Sequence, residues 1–106
     1  MVNSQTLDRR LAALSDPTRR AIVERLSEGE ATVSELAAPF AMSLPAVLKH
    51  LGVLESAGLM RSRKAGRVKT CRLEPAALDP LAAWVDERRD IWQRRLDALE
   101  RHLEET

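Results

Sequence analysis

Apolar residues recur at helical spacing along most of this chain, broken by a short stretch that alternates instead. Leu7, Leu11 and Leu14 fall at i, i+4 and i+7, one face of a first helix over residues 6–15. Ser15-Asp16-Pro17 stops that helix and starts another: a capping side chain, then proline at the first helical position. The second helix is expected to run to about residue 27, with Ala21, Ile22 and Leu26 inward, Arg19, Arg20, Glu24 and Arg25 in water, and Gly29 closing it. Ala31-Thr32-Val33 is too short to stand alone and is expected to pair with a later strand at the edge of a small sheet. Ser34 is the expected cap of a short third helix reaching residue 38, with Glu35 favoured in its first turn. Leu36 and Ala37 pack, Pro39 halts the helix, and Phe40 plugs the core before the next one.

The stretch from Ala41 to Gly58 organises the rest. Ser43 can cap a helix, and Pro45 lies in its first turn, where a missing N–H costs little. Val47, Leu51 and Leu54 form a buried stripe, Ala46 and His50 complete the inward side, and Gly58 ends the helix. The joint from Pro39 to Met42 is short, which forces a steep crossing, the geometry of a helix-turn-helix. Two strands, residues 59–63 and Val68–Leu73, flank Lys64-Ala65-Gly66-Arg67, where Gly66 tolerates positive φ. Cys71 and Leu73 share a face, with Lys69 at its solvent end; Val68 breaks the alternation and leaves the register open. Asp79-Pro80 repeats the cap-plus-proline signal and opens a last helix over residues 80–104, about 37 Å long. These elements predict one domain over residues 1–106. The fold is mainly α with a small β-hairpin wing, a winged helix-turn-helix with a long C-terminal helix.

That last helix carries two apolar stripes. Leu81, Val85, Trp92, Leu96, Leu99 and Leu103 form one; Trp84 and Ile91 form the other. A monomer of 106 residues buries only about 65% of the surface its unfolded chain exposes. A second copy would give the stripes something to cover. Helices 6–15 and 80–104 are therefore the expected dimerisation surface, with Leu7, Leu11, Trp84, Ile91, Trp92, Leu96, Leu99 and Leu103 at its centre. The alternative is a long helix folded back over its own core.

Charge changes the picture through its distribution, since the net charge is only +1. Residues 61–72 hold six Lys or Arg and no acid, while residues 86–105 alternate in sign. A basic hairpin beside a helix-turn-helix suits a phosphate backbone; a solvated hairpin is the alternative. Few aromatic residues (Phe40, Trp84, Trp92) argue against an RNA-stacking surface. One cysteine leaves no intrachain disulfide, no apolar run approaches the roughly 18 residues of a membrane span, and the start lacks a signal-peptide core. A cytoplasmic location is expected. No nucleophile has a placed base, no carboxylates pair across a cleft, and no glycine-rich phosphate loop occurs, so an enzyme is not expected.

Ala13-Leu-Ser-Asp-Pro-Thr-Arg-Arg-Ala-Ile22, Thr32-Val-Ser-Glu-Leu-Ala37, Ser43-Leu-Pro-Ala-Val-Leu-Lys-His-Leu51, Val53-Leu-Glu-Ser-Ala-Gly-Leu59 and the Gly66 wing follow one another in order. Together they resemble the ArsR-type winged-helix repressors of bacteria, over nearly the whole chain. The resemblance implies a homodimer joined through the first and last helices. It implies binding to an operator palindrome in double-stranded DNA and repression of nearby genes. It makes residues 43–56 the recognition helix and residues 64–67 the wing tip. Ser43, Leu44, Pro45, Leu48, Lys49 and Gly52 would then face the major groove. Arg61, Arg63, Lys64, Arg67 and Lys69, with Lys49, would meet phosphates, and Arg67 could enter a narrow minor groove.

The groove-facing set is unusually apolar. Family members often carry Gln at the place of Leu44 and Ser at that of Leu48. Three readings follow: contact with thymine methyl groups, specificity through DNA shape and half-site spacing, or a face that binds protein instead.

Many relatives sense metals, and the resemblance extends only partly to their sites. A Cys-x-Cys pair on the third helix is replaced here by Ser34-Glu-Leu-Ala37. The last-helix site survives only as His102-Leu-Glu-Glu105; its first half would fall on Arg89 and Ile91, which cannot ligate, with Asp90 out of phase. No metal site and no cofactor are expected. His102 reads as a surface residue and His50 as a core or cap histidine. Cys71 reads as a structural thiol; the functional alternative is a redox or electrophile sensor, which needs an exposed, low-pKa thiol. The expected function is a dimeric repressor without a metal sensor. A redox- or ligand-responsive regulator of the same fold, or an interaction module that no longer reads DNA, are the alternatives.

Overall fold

Caps, prolines and glycines set most of the boundaries. The computed structural model describes residues 4–105 and orders them as α1 (Ser4–Ala13), α2 (Pro17–Leu26), β1 (Ala31–Thr32), α3 (Val33–Ala37), α4 (Leu44–Ser56), β2 (Met60–Ala65), β3 (Val68–Leu73) and α5 (Asp79–Glu104). Asp16 caps α2, its Oδ2 accepting the Arg19 backbone N–H at 3.0 Å, with Pro17 in the first turn. Ser43 caps α4, accepting the Ala46 N–H at 3.3 Å. Gly58, at φ +78°, stops α4 in the left-handed region that a side chain resists. The first helix begins two residues earlier than its leucines suggest and ends at Ala13, where Leu14 and Ser15 turn the chain.

Two caps differ from expectation. Thr32, not Ser34, begins α3: its Oγ1 accepts the Glu35 N–H at 3.1 Å, and Glu35 Oε1 accepts the Thr32 N–H at 3.1 Å. A reciprocal capping box needs the acid three residues after the cap, and only Thr32 stands at that spacing from Glu35. The Thr32 N–H, then its hydroxyl, hold the Glu35 carboxyl below its usual range. At the last helix Leu78 is the cap residue and makes no side-chain bond; Asp79 is already helical, where its charge still suits the N-terminal dipole.

The three strands form an antiparallel sheet in the order β1-β3-β2. Register runs from Met60 opposite Leu73 to Ala65 opposite Val68, so Gly66 and Arg67 alone make the tip. Gly66 has φ +63° at the first tip position, which a two-residue hairpin reserves for glycine. The wing strand is therefore longer than residues 59–63, taking in Lys64 and Ala65. β1 pairs on the other side, Ala31 opposite Cys71 and Thr32 opposite Thr70.

The core lies where α2, α3 and α4 meet the sheet. Ile22, Leu36, Val47, Leu51, Leu54, Leu59, Met60 and Cys71 are fully enclosed, and Phe40 packs against them from the helix-turn-helix joint. Val23 is buried as well and Ala21 only half so, a slight rotation of α2 from its expected face. Arg19 is not simply in water. Its guanidinium donates to Ala13 O at 2.6 Å and Ala12 O at 3.3 Å, and Arg20 donates to Leu14 O at 2.8 Å. Together they cap the carbonyls at the end of α1, where Ala12 O also accepts the Ser15 N–H and hydroxyl.

α5 does not fold back over this core. None of its described residues is buried, α1 is the helix it leans on most, and it draws the molecule out to 70 Å in its longest direction. Trp92, Leu99 and Leu103 are 62%, 54% and 64% exposed. Among the described residues no helix is long and apolar enough to cross a membrane.

Candidate nucleic-acid interface

The outward side of α4 is set by the side the core consumes. With Val47, Leu51 and Leu54 buried, a 3.6-residue repeat turns Leu44, Pro45, Leu48, Lys49 and Gly52 outward, and all five are exposed. Ala46 and His50 sit half-buried at the margin. A β-carbon built on Gly52 meets nothing within 4 Å, so this glycine leaves the surface open and serves no internal packing. The N-terminal half of α4 and the hairpin enclose a cleft of about 760 Å³, lined by Leu44, Leu48, Val33 and Val68, with Lys64, Arg67 and Lys69 around it.

The basic hairpin is less free than its sequence suggests. Arg63 holds both oxygens of Glu30 in a fork at 3.2 Å, Arg61 Nε lies 3.1 Å from Glu74, and Arg72 lies 3.9 Å from the same carboxylate. The acids missing between residues 61 and 72 arrive from the loop before β1 and the residue after β3. Among the described residues Lys64, Arg67 and Lys69 have no carboxylate partner. These three sit at the tip and along the cleft. The site thus combines an apolar helix face with a rim of unpaired cations.

His50 lies behind this face, its Nδ1 3.3 Å from Arg19 Nη1 and 3.9 Å from Asp16 Oδ2. The Arg19 backbone N–H chiefly lowers the Asp16 pKa; desolvation, next in size, opposes it, and the charges of His50 and Arg19 add to the lowering. The cluster ties the start of α2 to α4 and so sets the tilt of the outward face. Arg19 was legible only as a solvent residue because its partners are carbonyls of another helix.

Cys71 is enclosed in the middle strand, between Ala31 and Ser62. Burial pushes its thiol above the usual range, more than Lys69 lowers it. A thiolate is the reactive species, so this sulfur should be slow. We expect a bulky maleimide to leave the folded protein unmodified and to react in denaturant; rapid labelling without denaturant would restore the sensor reading. Among the described residues no three His, Cys, Asp or Glu side chains gather as a metal would require, and His102 is exposed near the end of α5.

Comparison with known proteins bears on this geometry directly. The family described as "Helix-turn-helix domain" matches residues 14–63, from the end of α1 into β2. The HTH-type transcriptional regulator Rv2034 of Mycobacterium tuberculosis is 45% identical over 89 residues, covering 84% of this chain and 80% of that one. The arsenical resistance operon repressor of Escherichia coli is 36% identical over 91 residues, 85% and 78% of the two chains. A crystal structure of an ArsR family transcriptional regulator superposes with a TM-score of 0.83 at 46% identity, covering 87% of this chain and 95% of its own. This chain belongs to the ArsR family. As an ArsR-family protein it is a transcriptional regulator and not an enzyme, and its α3–α4 pair with the β2–β3 hairpin is the family's winged helix-turn-helix. The ArsR fold also occurs in a homodimeric winged helix-turn-helix DNA-binding domain of Mycobacterium bovis, solved in solution, with a TM-score of 0.65 and 26% identity over 86% of this chain and 84% of that one.

Proposed function

We propose that this protein is a homodimeric repressor that binds an inverted repeat in double-stranded DNA. The observation that carries the reading is the outward face of α4, exposed because the core takes the opposite face, beside a hairpin whose tip cations are unpaired. Ser43, Leu44, Pro45, Leu48, Lys49 and Gly52 enter the major groove. Lys64, Arg67 and Lys69 take flanking phosphates, and Arg61 and Arg63 join only by giving up their acids. The exposed faces of α1 and α5 join two copies, placing two α4 helices on successive half-sites. The homodimeric relative and the repressor relative support this reading, and a cytoplasmic setting is part of the same proposal.

Selection from a random duplex pool, with and without a chelator, tests it. An enriched inverted repeat that survives chelation is the expected result. A folded dimer that enriches nothing would refute it and bring forward the interaction-module reading of the α4 face.

The ion pairs rank the arginines. Arg67→Ala is expected to weaken DNA binding and lower the salt slope by about one unit, the signature of one lost phosphate contact. Arg63→Ala should change both less, because binding no longer has to break the Glu30 fork. Titrations at several salt concentrations separate the two; equal slopes for both variants would remove this ranking.

A further inference from the structure

We propose that the α4 face reads thymine through its 5-methyl group, with Leu44 and Leu48 as the contacting side chains and Val68 of the wing completing the apolar wall. The proposal rests on the DNA-binding reading above and names what that site recognises.

Three observations carry it. Leu44, Leu48 and Val68 are 54%, 40% and 51% exposed, and they line one cleft although they come from two elements. The fold has no internal use for them: the other side of α4 fills the core, and Val68 lies at the strand end beside the wing tip.

Two of the three uncharged polar side chains that line the cleft are engaged elsewhere: Thr32 Oγ1 accepts the Glu35 N–H in the capping box, and Ser62 Oγ donates to Glu55 Oε1 at 3.0 Å; the third, Ser34, belongs to α3 and not to the α4 face. At the start of α4, Ser43 Oγ is taken up in accepting the Ala46 N–H. Lys49 is the only charged side chain among the outward residues of α4, and it offers a point charge, not a planar fork. No Arg, Asn or Gln stands on that face, so the bidentate adenine pairing is missing and Lys49 is the one side chain there that could reach guanine.

The rim decides between a nucleic acid and an apolar protein partner. Lys64, Arg67 and Lys69 around the cleft have no carboxylate among the described residues, and a phosphate backbone supplies the charge they lack. On the major-groove edge of DNA the thymine methyl is the apolar group available to such a wall.

Deoxyuridine tests this without touching the protein. It removes the methyl and keeps every hydrogen-bonding group of thymine. Starting from the sequence selected above, each thymine is replaced in turn. Burying one methyl group corresponds to about a fourfold change in affinity, so symmetric replacement in both half-sites should weaken binding roughly sixteenfold. The same replacement should leave the Leu44→Ala/Leu48→Ala protein unaffected. Both leucines are exposed, so that variant should fold and dimerise like the wild type, which circular dichroism and sedimentation check. A selected site that tolerates deoxyuridine at every position overturns thymine reading and leaves DNA binding intact, with shape readout in its place. A uridine penalty that persists in the double variant overturns the assignment to these leucines. A pool that yields no site overturns both proposals.

Discussion

Replacing Trp92 and Leu99 together with glutamate is expected to turn the protein into a monomer of about 11.9 kDa in sedimentation. Trp92, Leu96, Leu99 and Leu103 follow one another at intervals of four, three and four residues, the spacing of a seam between two helices. All four are exposed in the single chain. Burying one such side chain contributes about 1.5–3 kcal/mol, and a seam doubles every contribution by symmetry. A pair of carboxylates facing their own copies would cost as much again. The winged-helix core lies elsewhere, so the monomer should keep its secondary structure. Its DNA affinity should fall by about 10²–10⁴-fold, because the second half-site is no longer held at high effective concentration. A W92E/L99E protein that still sediments as a dimer would remove α5 from the interface.

What could be read ahead of the structure was local. Stripes with a 3.6-residue period gave α1, α2, α4 and α5, because a helix shows its buried face within two turns. The outward residues of α4 were legible by the same logic, as the complement of Val47, Leu51 and Leu54. Thr32 was missed as the α3 cap because Ser34 is an equally good cap type; only the distance to Glu35 separates them. The wing's charge state was not legible at all. Residues 61–72 are purely basic in sequence, yet Glu30 and Glu74 reach Arg63, Arg61 and Arg72 through the sheet pairing and the turn after it. The arginines that fasten helices together were hidden for the same reason: backbone carbonyls are present everywhere and carry no sequence signal. Val68, which looked like a break in the strand pattern, proved to face the cleft beside Leu44 and Leu48.

Arg10→Ala is expected to destabilise the fold by about 2 kcal/mol and lower Tm by roughly 10 °C. Arg10 is half-buried on α1. Its Nε donates to Ala57 O at 3.1 Å, and its Nη1 donates to Ala77 O at 2.7 Å. One guanidinium thus closes the end of α4 and the turn that leads into α5. Gly58 belongs to the same joint: a β-carbon there would come within 3.0 Å of Arg10 Nη2. Alanine at position 10 leaves two carbonyls without their charged donor, and lysine, with a single point of donation, should recover less than half of the loss. The joint also links the two halves of the proposed function. α5 touches the rest of the chain mainly through α1, so the angle between the dimer seam and the α4 face runs through this arginine. Below its melting temperature the Arg10→Ala dimer should therefore bind half-sites one base pair closer or farther apart almost as well as the selected spacing, while the wild type discriminates between them. Thermal melts and a series of spacer-length duplexes measure the two effects. An unchanged Tm would show that water replaces the guanidinium at both carbonyls. A lowered Tm with spacing preference intact would place the rigid link between α5 and α4 elsewhere in the α1 contact.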